Sequence, residues 1–162
     1  MIIQNIHTHN KHYLQLSHIA IDVDTRLILY PQAVKGPRHD IKFPIAPIRS
    51  LKKYDVDYII ADKAYDTNKI RTCINEEIKA SDQIPLKSNF RHGWYRRLSI
   101  QTFKKEIYSR RNNVESVFGV IKRKYSGVNK SKSTRLQNKE TRLKTLVYNI
   151  TQAIKISRRI ST

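Results

Sequence analysis

The 162-residue chain holds 32 Lys and Arg against 13 Asp and Glu, a net charge of +19, with 39% hydrophobic residues. This size and apolar content suit one compact domain, and the charge exceeds what solubility needs, so a polyanionic partner is expected, nucleic acid ahead of a membrane surface. One cysteine, Cys73, excludes an internal disulfide and a multi-cysteine zinc site; no apolar run approaches the roughly 20 residues of a membrane span and no secretion signal opens the chain, so a soluble cytoplasmic protein is expected.

The charge is uneven: residues 1–82 hold 12 Lys and Arg against 10 acids, and residues 83–162 hold 20 against 3. The basic surface therefore belongs to the second half. Residues 1–17 read as a poorly defined segment without an Asp or Glu. Its three histidines, His7, His9 and His12, are incidental on this reading, because a hard divalent cation prefers oxygen.

Residues 18–34, HIAIDVDTRLILYPQAV, form two β-branched runs around a polar DVDTR turn, which predicts an antiparallel hairpin. Asp24 falls in the turn, where a local hydrogen bond suits it better than a metal, and Asp22 falls in strand beside it. Pro31 places the second strand near a sheet edge. The loop KGPRHD follows, with His39 and Asp40 at its end, and prolines delay any helix in residues 41–51.

Residues 56–61, VDYIIA, are a short β-branched run ended by Asp62, which predicts a buried strand with an acid at its carboxyl end. Residues 67–80 predict a helix from Ile70, Cys73, Ile74 and Ile78, with Thr67 or Asp66 as its cap and Cys73 as a small buried apolar residue. A short strand is expected at residues 84–86. Residues 87–106 mix basic and aromatic residues around Gly93 without a clear period, which predicts a loop or small basic insertion, with Trp94 and Tyr95 stacking on bases or, the favoured reading, covering the core edge.

From Tyr108 to Tyr125 apolar residues recur at helical spacing, and Gly127 supplies the stop. After a polar linker over 129–139, a last helix carries Leu143, Leu146, Val147, Ile150 and Ile154 as one stripe, expected to serve core or partner packing.

Tyr108, Arg111, Glu115 and Lys122 fall within one face of a continuous helix at about 100° per residue. Arg111 and Glu115, at i and i+4, also suit an ordinary helical ion pair. The string YSRRNNVESVFGVIK, with these four residues as Y-x-x-R-x-x-x-E-x-x-x-x-x-x-K, resembles the signature helix of the DDE insertion-sequence transposases. IIADKAYDT around Asp62, the hairpin HIAIDVDTRLIL and the following RHD are similar to that family's preceding segments, so the resemblance spans roughly residues 18–150.

The resemblance implies an α/β, RNase H-like mixed sheet flanked by helices over residues 18–158, expected to lack its first strand. It implies that Asp62 and Glu115 are catalytic acids binding Mg²⁺ or Mn²⁺ in a two-metal site, for phosphodiester cleavage and strand transfer at insertion-sequence ends. Tyr108, Arg110, Arg111, Lys122, Arg123 and Lys124 are the implied contacts to double-stranded DNA, with a homodimer in the DNA complex. The family's first acid has no counterpart in residues 1–17, so a truncated, weakly active or inactive remnant is expected. A non-catalytic basic DNA-binding protein is the alternative.

Overall fold

The computed structural model describes residues 1–5, 15–34, 45–88, 92–126 and 129–161. His7, His9, His12, His39, Asp40 and Gly127 lie outside the described residues. Among the described residues no helix is long and apolar enough to cross a membrane.

The hairpin predicted from the β-branched runs forms strands β2 (Gln15–Ile21) and β3 (Ile28–Val34), paired antiparallel. Pro31 lies in β3 at the sheet edge, where its missing N–H costs no ladder bond to a further strand. The turn closes through Asp22, whose carboxylate accepts from the Thr25 N–H at 3.0 Å and from the Thr25 hydroxyl. Burial works against the Asp22 charge, yet these Thr25 donors hold its pKa below the usual value.

A strand also forms ahead of the hairpin, where the sequence alone predicts none. Strand β1 (Ile2–Asn5) pairs antiparallel with β2 and parallel with β4 (Tyr58–Ala61), which pairs parallel with β5 (Ser81–Gln83). The sheet order is β3-β2-β1-β4-β5, so this short strand is central. Four residues carry too little alternation to read alone; two neighbours satisfying its backbone groups make it a strand.

Both sheet faces are covered. On one, Ala20, Ile59 and Ala61 pack with Ile48 of α1 (Ile45–Arg49) and with Ile70 and Ile74 of α2 (Asn68–Thr72) and the π-helical turn that continues it (Cys73–Ile78). Thr67 caps α2, its hydroxyl accepting from the Ile70 N–H at 3.2 Å, and Cys73 is buried as expected. On the other face, Ile2, Ile19 and Ile60 pack with Val114, Val117, Phe118 and Ile121 of α5 (Asn112–Tyr125). At about 2 kcal/mol for each fully buried large apolar side chain, this face is what anchors α5 to the sheet.

The strand expected at residues 84–86 sits three residues earlier, as β5. Ile84 remains fully buried, but its carbonyl accepts from Arg71. The segment expected as a loop contains α3 (Trp94–Thr102) and the start of α4 (Lys105–Ser109). Helix α3 shows no apolar stripe because polar contacts dock it. Trp94 is 75% exposed, against the expectation that it covers the core edge, and the Tyr95 hydroxyl donates to Glu76 at 2.8 Å. Gly93 precedes α3 at φ 138°, and a Cβ there would collide with the Asn68 side chain.

Those polar contacts centre on Arg71, which is fully buried. It donates to Asp66 at 2.9 Å, to Asp82, to the Ser99 hydroxyl of α3 and to the Ile84 carbonyl at 2.8 Å. Asp66 is therefore not a helix cap. It accepts from Arg71, from Arg96 of α3 at 2.9 Å and from the Lys87 N–H at 2.8 Å. Burial opposes its charge, but the Lys87 N–H and the two guanidinium groups hold its pKa below the usual value.

The last helix, α6 (Thr134–Ile160), meets the domain through its polar side: Gln137, Thr141, Thr145 and Tyr148 are buried, and Asn149 bonds both backbone groups of Ile28. The expected stripe of Leu143, Leu146, Val147, Ile150 and Ile154 is exposed, so it is not core. The mean period was legible, but which face turns inward depends on the side-chain amides and hydroxyls that reach β3 and the preceding linker.

Candidate active site

Along β4, Ile59 and Ala61 face one core and Ile60 the other, so the next residue, Asp62, leaves the strand on the side of α5. The helix expected over residues 108–125 is interrupted. Tyr108 lies in α4, Arg110 and Arg111 form the junction, and Glu115 lies in the first turn of α5. The backbone stays near helical at the junction, with Arg111 at φ −50° and ψ −33°, and Arg111 stays within reach of both Tyr108 and Glu115.

Arg111 joins the two acids. Its Nη1 donates to Asp62 Oδ1 at 3.1 Å and Oδ2 at 3.2 Å, and its Nη2 donates to Glu115 Oε1 at 3.4 Å. The helical ion pair anticipated from the i, i+4 spacing is thus present, together with a partner 49 residues away. These bonds are longer than the 2.7–2.9 Å of strong charge-assisted pairs, and Glu115 is 56% exposed, so each contributes about 0–1 kcal/mol.

Tyr108 supports the arginine. Its ring lies 6.0 Å from the Arg111 guanidinium carbon, at the outer limit of a cation–π contact, and packs on Phe103 at 5.5 Å. Burial pushes the Tyr108 phenol up; Arg111 opposes that shift and Asp62 adds to it, so it is a neutral donor at neutral pH.

Lys122, Arg123 and Lys124 are exposed in the last turn of α5. Acid at the start and base at the end also complement the helix dipole. Arg110 pairs with Asp24 of the hairpin turn, an ion pair across 86 residues that no local pattern signals. Asp22 and Asp24 are thus engaged by Thr25 and Arg110 and do not join Asp62.

Asp62 and Glu115 offer hard carboxylate oxygens facing one shared cation, the donor chemistry that Mg²⁺ or Mn²⁺ takes with water completing its shell. Among the described residues no group of three His, Cys, Asp or Glu gathers that could hold a metal. Strand β1 carries Ile2, Ile3, Gln4 and Asn5; its parallel register pairs Ile3 with Ala61, and one step further brings the Gln4 backbone level with Asp62.

Comparison with protein-family models gives a match to the transposase DDE domain over residues 4–150. Comparison with curated proteins and with solved structures gives no match.

Proposed function

The chain belongs to the transposase DDE domain family, and from that premise we propose that Asp62 and Glu115 are the acids of a metal-dependent phosphodiester-cleaving and strand-transfer site acting at insertion-sequence ends. The observation that carries this reading is the convergence of the two acids on one guanidinium, although they come from β4 and α5. The sheet order β3-β2-β1-β4-β5, with helices on both faces, supports an RNase H-like fold as its frame.

A divalent cation bound by Asp62 and Glu115 would supply Lewis-acid activation and neutralise charge at the scissile phosphate. The chain's own residues do the rest. Lys122, Arg123 and Lys124 give phosphate contacts that set affinity and salt dependence, and Arg110 and Arg111 extend that basic surface toward the acids. Tyr108, a neutral phenol beside Arg111, donates to a nucleotide at the strand end. Among the described residues no third acid joins this pair, where a two-metal site uses more, so weak turnover is the expectation for this chain. A homodimer in the DNA complex belongs to the same reading, and the exposed apolar stripe of α6 is the surface available to it once DNA neutralises the repulsion between two chains of charge +19.

The second reading is a non-catalytic basic DNA-binding protein, favoured by the ion pairs that already engage both acids. Mn²⁺-dependent nicking of terminal-repeat DNA separates the two. The first reading expects weak nicking that Asp62→Ala and Glu115→Ala each abolish; nicking indifferent to both substitutions, or DNA affinity identical in EDTA and Mg²⁺ with no nicking, contradicts it.

A further inference from the structure

A guanidinium that bridges the two proposed metal-binding acids occupies the electrostatic position a cation would need. Arg111 reaches both oxygens of Asp62 and one of Glu115, and no other cation is paired with either acid among the described ion pairs. Two carboxylates sharing one site repel each other unless a positive charge lies between them. Arg111 supplies that charge from within the chain.

The bridge is also easily opened. Its contacts run from 3.1 to 3.4 Å, Asp62 is 35% and Glu115 56% exposed, and Arg111 sits at the junction between α4 and α5 rather than inside a helix. A phosphate offers a guanidinium two oxygens in a matching fork, so a DNA backbone that passes Arg110 and Arg111 at the start of α5 competes with the acids for Arg111.

We propose that Arg111 is an internal counter-cation that excludes a divalent metal from Asp62 and Glu115 until DNA phosphate draws it away, so that metal and DNA bind cooperatively. This rests on the assignment of the two acids as metal ligands. Arg111 is then a positioning residue whose effect is felt through the acids. Metal and guanidinium are alternatives at one place, and DNA shifts the balance by its differential affinity for the released arginine.

The experiment is a titration of the full chain with Mn²⁺, reading free Mn²⁺ by electron paramagnetic resonance, with and without a short duplex. Asp62→Asn with the same duplex sets the background from Mn²⁺ on the DNA. Without DNA, Arg111→Gln is expected to bind Mn²⁺ about fivefold to tenfold more tightly than the unsubstituted chain, the size of two weak ion pairs removed, while Arg111→Lys stays near it. Adding DNA is expected to tighten Mn²⁺ binding to the unsubstituted chain by a similar factor and to leave Arg111→Gln unchanged. Circular dichroism of each variant checks its fold, and Arg111→Met, which also removes the charge and is expected to bind Mn²⁺ as tightly as Arg111→Gln, carries the comparison if Arg111→Gln does not fold.

Equal or weaker Mn²⁺ binding by Arg111→Gln, or no effect of DNA on the unsubstituted chain, overturns the proposal. If Asp62→Asn then still weakens Mn²⁺ binding, the acids remain the metal ligands and only the gate falls. Tight binding by Arg111→Gln that survives a second substitution, Asp62→Asn, places the cation elsewhere and overturns both.

Discussion

Arg111 donates from one nitrogen to both carboxylate oxygens of Asp62, at 3.1 and 3.2 Å, tying the residue before α5 to the residue after β4. The contact needs the parallel pairing of β1 with β4 and the apolar seat of α5, since these bring the strand end and the helix start to one place.

The Arg71 network is what fastens α3 to the domain. Asp66→Asn leaves Arg71 and Arg96 without their shared carboxylate, and removal of one partner from a buried ion pair costs about 3–5 kcal/mol. Urea denaturation is expected to show a loss of this size with Trp94, the chain's only tryptophan, reporting on α3 by fluorescence. A loss below about 1 kcal/mol would show that the network is dispensable.

Glu140 fastens the linker ahead of α6. Burial raises its pKa, but Lys144, the N–H groups of Lys130 and Ser131 and the Ser131 hydroxyl outweigh that and bring it to about 2, from an unfolded value of 4.5. A folded-state pKa below the unfolded one gives stability that is complete above pH 4.5 and is lost as pH falls toward 2. Melting temperatures of the unsubstituted chain and Glu140→Gln should differ most at neutral pH and converge only as pH falls through about 2. A constant difference would contradict this account.

If Lys122, Arg123 and Lys124 meet phosphates, each substitution to Ala should weaken DNA binding regardless of sequence and reduce the slope of log affinity against log salt by about 0.9. Fluorescence anisotropy across salt concentrations measures the slope. Weakening without a change of slope would place these residues off the DNA.

Gln4→Asp adds an acid to β1 next to Ile3, whose register partner Ala61 precedes Asp62. It should raise Mn²⁺ affinity by about tenfold or more and increase nicking, since an added carboxylate favours a hard cation. Unchanged Mn²⁺ affinity would mean that β1 does not border the site.

Much of this frame was legible in the sequence because its signals are local. The run ending in Asp62, the hairpin and the apolar spacing of α5 each carry their own pattern. What was missed depends on partners distant in sequence. Strand β1 is stabilised by β2 and β4, and α3 by Arg71 and Asp82, whose charges look like ordinary surface residues until β5 and α2 enclose them. The α6 stripe was visible, but of its two expected roles, core or partner packing, the core one falls, because a period gives the apolar face and not the face that Asn149 and Tyr148 turn toward β3 and its turn. For the candidate site, spacing gave the pair Arg111 and Glu115, while the bridge onward to Asp62 needed the fold.

The most direct test of the assigned acids is to load the chain, bound to a short duplex, with Fe²⁺ in place of Mg²⁺, generate hydroxyl radicals at the bound ion and map the backbone cuts by mass spectrometry. The account predicts cuts beside Asp62 and Glu115 that excess Mg²⁺ suppresses and that Asp62→Asn or Glu115→Gln abolishes. Cuts confined to other parts of the chain, or unchanged by both substitutions, would contradict it.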